Sequence, residues 1–228
     1  MARILITGAN RGIGLELARQ YAERGDDVIA CVRNPAKAEA LQELAAGGKV
    51  SVEQMDVGDP GSIVAARKRI GDVAIDVIIN NAGAVGGARQ SLDDLDLEEW
   101  HRSLNVNTIG PLLVARAFKP NLAASGNGKI MTVTSQLAAS TWPMGGMYIY
   151  SSTKAGVSKV FQALTIDWKD EPITVGLMHP GWVQTDMGGP HAEITAEESA
   201  RGIISVIDDM TKADSGKFYK WNGDIHPW

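Results

Sequence analysis

Cysteine is nearly absent from this chain. Cys31 is the only one in 228 residues, so no disulfide can form within it. Cys31 sits in the strand-like run Val28 to Val32, where a thiol serves as a small apolar side chain; this suits a reducing compartment, and a cytoplasmic location is expected. Histidine is sparse as well. His101, His179, His191 and His226 are scattered without the spacing that gathers ligands round a metal, and no metal site is expected. Apolar runs are all short. None approaches the ~20 residues a membrane-spanning helix needs, so no membrane partner is expected. The first apolar residues lead straight into a glycine turn and read as core strand rather than as a leader. An excess of basic residues is also missing. Lys and Arg number 22 against 27 Asp and Glu, a formal charge of -5, which argues against nucleic-acid binding. Repeats, low-complexity tracts and linkers are absent too.

What the chain does have is regular alternation. Strand-like segments fall at Arg3 to Thr7, Val28 to Val32, Val50 to Met55, Val77 to Asn80, Lys129 to Thr134, Ile173 to Met178 and Lys217 to Trp221. Helical patterns fall between them: Ile13 to Arg24, Pro35 to Ala46, Gly61 to Ile70, Asp96 to Leu122, Tyr148 to Trp168 and Thr195 to Met210. Asp96 with Glu99, and Thr195 with Glu198, have the spacing of capping boxes. The expected fold is α/β: one Rossmann-type domain over residues 1–228, a doubly wound seven-stranded parallel sheet with helices on both faces. Ligands in such sheets bind beyond the carboxyl ends of the strands. The stretch Leu104 to Phe118 is apolar round nearly the whole helix, so one side is expected against the sheet and the other against a partner subunit in a homodimer or homotetramer.

The first strand runs into Thr7-Gly8-Ala9-Asn10-Arg11-Gly12-Ile13-Gly14 and then a helix. Glycines allow a tight turn and close approach of a ligand, and the free N–H groups of a helix start favour a pyrophosphate. The spacing is G-x-x-x-G-x-G, not the G-x-G-x-x-G of the common dinucleotide fingerprint. At the second strand's end stand Val32 and Arg33, where an acid would bind the ribose hydroxyls of NAD. Asn80-Asn81-Ala82-Gly83 follows the fourth strand. Tyr150 and Lys154 lie four apart, on one face of a helix. A lysine charge there favours tyrosinate over tyrosine and so lowers a pKa that is normally about 10.

These three motifs together resemble the short-chain dehydrogenase/reductase family, and the resemblance extends from Thr7 to Trp228. The segments Asp186 to Pro190 and Phe218 to Trp228 look like its carbonyl-reductase and C-factor branch. The resemblance implies an NADP(H)-dependent enzyme acting on a small carbonyl or alcohol substrate. Tyr150 is then the proton donor, Lys154 its partner and a ribose contact, Ser135 the serine that orients the carbonyl, and Asn107 part of a proton relay. Ser140 is the alternative serine, because the spacing from Ser135 to Tyr150 is long for the family. Asn105 is the alternative asparagine, and the Asn-x-x-Gly pattern favours Asn107. Pro111 lacks an N–H and should bend that helix.

The cofactor contacts implied are Gly8, Asn10, Arg11, Gly12, Ile13 and Gly14 in the turn. Further contacts are Arg33 beside the 2′-phosphate, Asp56 and Val57 at the adenine, and Asn81, Ala82 and Gly83 along the cleft. Pro180, Gly181, Val183 and Thr185 complete them at the nicotinamide. Trp142, Met144, Met147, Tyr148, Trp182, Met187 and His191 could line an apolar substrate pocket or serve only as core or interface residues. A catalytically weak cofactor-sensing or signalling protein of the same fold is the alternative function. Such proteins often lose the tyrosine or the lysine, and this chain has both.

Overall fold

A computed structural model describes all residues, 1–228. Seven strands form one parallel sheet: β1 (Arg3–Thr7), β2 (Asp27–Val32), β3 (Val50–Gln54), β4 (Val77–Asn80), β7 (Gly128–Val133), β8 (Ile173–His179) and β9 (Phe218–Lys220). Their order is β3-β2-β1-β4-β7-β8-β9. The strand order reverses between β1 and β4, so a crevice opens beyond their carboxyl ends, where the glycine turn lies.

Side chains alternate between the faces of a strand, and each face of this sheet has its own core. Ile4 and Ile6 join Leu17 and Tyr21 of α1 (Gly12–Glu23), Leu41 of α2 (Glu39–Ala45), and Ile203 and Ile207 of α7 (Ala196–Asp209). Leu5, between them, joins Ile63 of α3 (Pro60–Ile70), Phe118 of α5 (Gly110–Ala124) and Phe161 of α6 (Tyr148–Asp167). No helix is long and apolar enough to cross a membrane.

Four differences from the sequence reading have physical causes. The pattern expected to form a helix from Pro35 to Ala46 is broken at Ala38, which leaves helical geometry (φ -108, ψ 58) to bury its side chain. The stretch from Asp96 is helical without a break to Ala124, but its winding changes: α4 (Leu97–Leu104) passes through a π-helical turn (Asn105–Ile109) into α5. Pro111 has no N–H to give the carbonyl four residues back, and Gly110 lies so close to Val57 that a Cβ would stand 2.3 Å from its carbonyl oxygen. The Asp96 box is only half made. Asp96 accepts from the Glu99 N–H at 3.0 Å, but the Glu99 carboxylate turns to Arg102 at 2.7 and 2.6 Å. The Thr195–Glu198 box is complete. Finally, β5 (Gln90–Ser91) pairs with β6 (Asp94–Leu95) in a small antiparallel hairpin outside the seven expected strands.

Part of the apolar girth of Leu104 to Phe118 is packed within the chain, and part is left at the surface. Val114, Ala115 and Phe118 are buried in the core, Leu112 and Leu113 pack against it, and α3 and α6 flank α5. Ile109 and Arg116 are exposed.

Candidate active site

The glycine turn is tied to the end of β4. Thr7 Oγ1 accepts from the backbone N–H groups of Asn81 and Ala82, both at 3.1 Å. In return Asn81 Nδ2 donates to the carbonyls of Thr7 (3.0 Å) and Gly8 (3.1 Å). Gly8 has φ +68, and a Cβ on it would stand 2.8 Å from the Ala82 Cα, so glycine answers both the conformation and the crowding. A Cβ on Gly12 would lie 3.1 Å from Thr185 Cγ2, which sets the β8 loop against the turn. Ile13 packs against the core and Asn10 is exposed. Helix α1 has Arg11 at its N-cap and no side-chain cap. Its first N–H groups are left for an external acceptor, as a dinucleotide pyrophosphate would provide.

Arg33 is exposed at the end of β2, with Val32 buried beside it. Arg11 is exposed too, and its guanidinium is paired with Asp186 in the loop after β8. The two arginines therefore differ: Arg33 enters none of the chain's ion pairs, whereas Arg11 already has a partner. Asp56 spends one carboxylate oxygen on the Gly58 N–H (2.9 Å), and its own N–H donates to Ser62 Oγ (2.9 Å). Val57 is buried. Along the β8 loop, the Pro180 carbonyl accepts from buried Ser199 at 2.6 Å. Val183 is buried, and Thr185 Oγ1 accepts from the Gly188 N–H at 3.2 Å. Trp221 also closes on this loop, since a Cβ on Gly181 would lie 3.0 Å from its ring.

Ser135 follows β7 and caps a short 3-10 turn, accepting from the Leu137 N–H at 3.1 Å. Its hydroxyl is near enough to the Tyr150 phenol to act on that group's pKa. Ser140 is exposed and donates instead to the Trp228 carbonyl at 3.2 Å. The geometry thus separates the two serines. Lys154, one turn along α6 from Tyr150, is buried and donates to the Val133 carbonyl at 2.9 Å. Its ammonium is 5.9 Å from the centre of the Tyr150 ring. Just before Ser135, Thr134 Oγ1 bonds the Lys154 carbonyl (3.1 Å) and Ser158 Oγ (2.7 Å), so the end of β7 and the first half of α6 are stitched together.

Asn107 is buried in the π-helical turn, while Asn105 is exposed. The Asn107 amide accepts from the Ala84 N–H at 2.8 Å and donates to the Ala84 carbonyl (2.8 Å) and to Thr153 Oγ1 (2.9 Å). A Cβ on Gly83 would stand 3.4 Å from both Asn107 Oδ1 and Lys154 Nζ. Gly83, Asn107 and Lys154 therefore meet at one point.

Burial brings the Lys154 ammonium down to about 8. The Tyr150 phenol is pushed up by burial, with the nearby Ser135 hydroxyl acting in the opposite direction. This corrects the expectation that the Tyr–Lys spacing alone lowers the phenol. The lysine's nearest polar partner here is a backbone carbonyl, and burial, opposed by Ser135, sets the direction of the phenol's shift.

Two features of the site have no local signal in the sequence. One is the Ser199 and Trp221 contact with Pro180-Gly181. The other is Gln90, which accepts from the Tyr150 backbone N–H at 3.0 Å across 60 residues of chain. A shallow hollow of about 10 Å³, lined by Leu137, Trp142, Met144, Gly146, Met147 and Ser151, lies next along the same helix start.

Comparison with known proteins places these features in a family. Residues 2–195 match the family described as short chain dehydrogenase. A 1-hydroxy-2-glutathionyl-2-methyl-3-butene dehydrogenase from Rhodococcus sp. (strain AD45) is 33% identical over 100% of both chains. The C-signal protein of Myxococcus xanthus is 40% identical over 68% of this chain and 93% of its own. An NADPH-bound carbonyl reductase from chicken fatty liver has a TM-score of 0.93 and 30% identity, covering 100% of this chain and 99% of that one.

Proposed function

The chain belongs to the short-chain dehydrogenase family, and from that premise we propose that it is an NADP(H)-dependent oxidoreductase that interconverts a carbonyl and an alcohol. The observation that carries the reading is the meeting of Ser135, Tyr150 and Lys154 where β7 hands over to α6, next to the strand ends that carry the glycine turn. A bound nicotinamide supplies the hydride that this chemistry needs. Gly8, Asn10, Gly12, Ile13 and Gly14, with the uncapped N-terminus of α1, are the groups that would hold its pyrophosphate. Arg33 and Arg11 would meet a 2′-phosphate, and Asp56 and Val57 would flank the adenine. Asn81, Ala82 and Gly83 would line the cleft, and Pro180, Gly181, Val183 and Thr185 would hold the nicotinamide end. The solved relative from chicken liver carries NADPH, which agrees with the basic residue at position 33.

The residues divide the remaining work. Ser135 directs the substrate oxygen towards Tyr150, whose phenol donates a proton to that oxygen as it gains charge. The ammonium of Lys154 is an opposite charge on the same helix face, and it favours the tyrosinate left behind. Asn107 holds Ala84 and Thr153, and so steadies the loop and helix around that proton path. The segment Ser135 to Thr153 contains no Asp, Glu, Lys, Arg or His, and it supplies the residues round the hollow beside Tyr150. A charged substrate group beside that segment would find no counter-ion in it, so the proposed substrate is a neutral carbonyl compound.

The test is NADPH consumption with a panel of neutral alkyl and aryl ketones and aldehydes, each paired with a carboxylate-bearing analogue. Turnover of the neutral members supports the reading. Tight NADPH binding with no turnover of any member would favour a cofactor-sensing or signalling role instead, a reading that the similarity to the C-signal protein keeps in view.

A further inference from the structure

Helix α6 begins without a cap of its own. Its N-cap residue, Met147, is in the left-handed region (φ 49, ψ 36) and makes no side-chain capping bond. The residues before it, Gly145 and Gly146, are exposed, and no atom lies within 4 Å of where their Cβ would stand. The first N–H groups of a helix have no partner within it, and an uncapped first turn following a loose loop is prone to fray. Tyr150 is the third residue of that turn. Its phenol is therefore carried on the least secured part of the helix.

The missing bond comes from another part of the chain. Gln90 Oε1 accepts from the Tyr150 N–H at 3.0 Å. The other end of the same amide donates to the carbonyls of Val85 (2.8 Å) and Gly87 (2.9 Å). An amide has two donors and one acceptor oxygen, and all are used. A flipped amide would oppose like groups at every contact, so the orientation is fixed. Gln90 is 8% exposed. It opens β5, and its pairing with Leu95 sets the direction of the side chain. Close packing supports the same contact, since a Cβ on Gly86 would stand 2.5 Å from Ile149 Cγ2, the residue before Tyr150. At the other end of the loop, Ala84 is held on both backbone groups by Asn107. The segment 84–90 is thus pinned at both ends against the start of α6.

We propose that Gln90 is a positioning residue for Tyr150, acting as the N-cap that α6 lacks and fixing the phenol relative to Ser135. This rests on Tyr150 being the proton donor. Gln90 touches no reacting atom. Its role is to keep the first turn of α6 wound, so that Tyr150 stays where a substrate oxygen will be. The loop that Gln90 holds runs on from Gly83, so the cap couples the cofactor-side wall to the proton donor.

The test uses the full chain with NADPH and a ketone it reduces, comparing Gln90→Met and Tyr150→Phe. Methionine matches glutamine in length and lacks the amide oxygen. Gln90→Glu is no rescue, because a carboxylate oxygen would face the Val85 and Gly87 carbonyls to which the amide donates. Displacing a reacting group by about 1 Å can cost up to ~100-fold, so Gln90→Met is expected to lower kcat about tenfold with the NADPH Kd unchanged. Below the melting temperature of the variant, a wild-type kcat in Gln90→Met, or an NADPH Kd that rises as much as kcat falls, overturns the proposal. Should Gln90→Met not fold, Gln90→Asn decides in its place, because it keeps the amide but draws it back from the Tyr150 N–H. Its expected outcome is the same loss of kcat, and wild-type turnover overturns the proposal. Tyr150→Phe separates the two levels of argument. If it turns over normally, the donor assignment fails and the positioning role falls with it. If it is inactive while Gln90→Met is not slowed, the positioning role alone is wrong.

Discussion

Asn81 lies directly over Gly14. A Cβ on that glycine would stand 2.4 Å from Asn81 Nδ2 and 2.2 Å from the Gly8 carbonyl oxygen. The third glycine of the turn is therefore required by the asparagine that bonds Thr7 and Gly8, quite apart from any ligand. Gly14→Ala must push α1 away from the turn or break those bonds. Overpacking of this kind costs about 1–3 kcal/mol, sometimes more. The expected result is a lower urea midpoint together with weaker NADPH binding, read by denaturation and fluorescence titration. An alanine variant with wild-type values in both would contradict the contact.

Tyr150→Phe keeps the ring and removes the proton. General acid groups contribute roughly 10²–10⁴-fold, so kcat for carbonyl reduction is expected to fall by that order, with NADPH binding little changed. Steady-state kinetics and a cofactor titration check both halves. Turnover near wild type would remove Tyr150 from the reaction.

Arg33 and Arg11 are expected to contribute unequally to cofactor choice. A hydrogen bond to a charged group is worth about 1.5–3 kcal/mol, and each 1.4 kcal/mol is about tenfold in affinity. Arg33→Ala should therefore raise the Kd for NADPH roughly 10–100-fold and leave NADH nearly unaffected. Arg11→Ala should have the smaller effect, because Asp186 already competes for that guanidinium. An exposed ion pair is worth about 0–1 kcal/mol, so Asp186→Asn should tighten NADPH by a few-fold at most. Parallel titrations with both cofactors decide this, and equal losses for NADPH and NADH would show that these arginines do not read the phosphate.

His179 is buried at the end of β8, with Nδ1 lacking a partner and the His226 ring 5.6 Å away. Burial, with smaller contributions from His226 and Lys220, lowers its pKa from 6.5 to about 4. Between those values the unfolded chain holds a proton that the folded chain does not. Stability is therefore expected to rise with pH from about 4 to about 6.5 and then level off in this group's contribution. His179→Gln should flatten that rise by roughly 1–3 kcal/mol at its acid end. The carboxylates act equally in both proteins and cancel in the difference. Urea midpoints of the two proteins across the interval provide the check, and parallel curves would refute the assignment.

The local pattern alone carried much of this protein. The alternation of strand and helix residues dictates a parallel sheet, because each short segment shows its own period before any contact is made. The glycine turn, Asn80 to Gly83, and the Tyr150–Lys154 pair are equally local, so their places at strand ends and on one helix face could be read from spacing. The choice of partners could not. Ser135 and Ser140 are both hydroxyls in one loop, and only the folded chain turns the second to Trp228. Arg11 meets Asp186 across 175 residues, and Gln90 meets Tyr150 across 60. A capping pattern at Asp96 was visible, yet Glu99 turned to Arg102. The height of a buried phenol or ammonium pKa depends on how much water the whole fold removes, which no spacing encodes. Sequence fixes what each segment is able to form. Which polar groups meet is settled only when distant segments close together and each buried donor must find an acceptor.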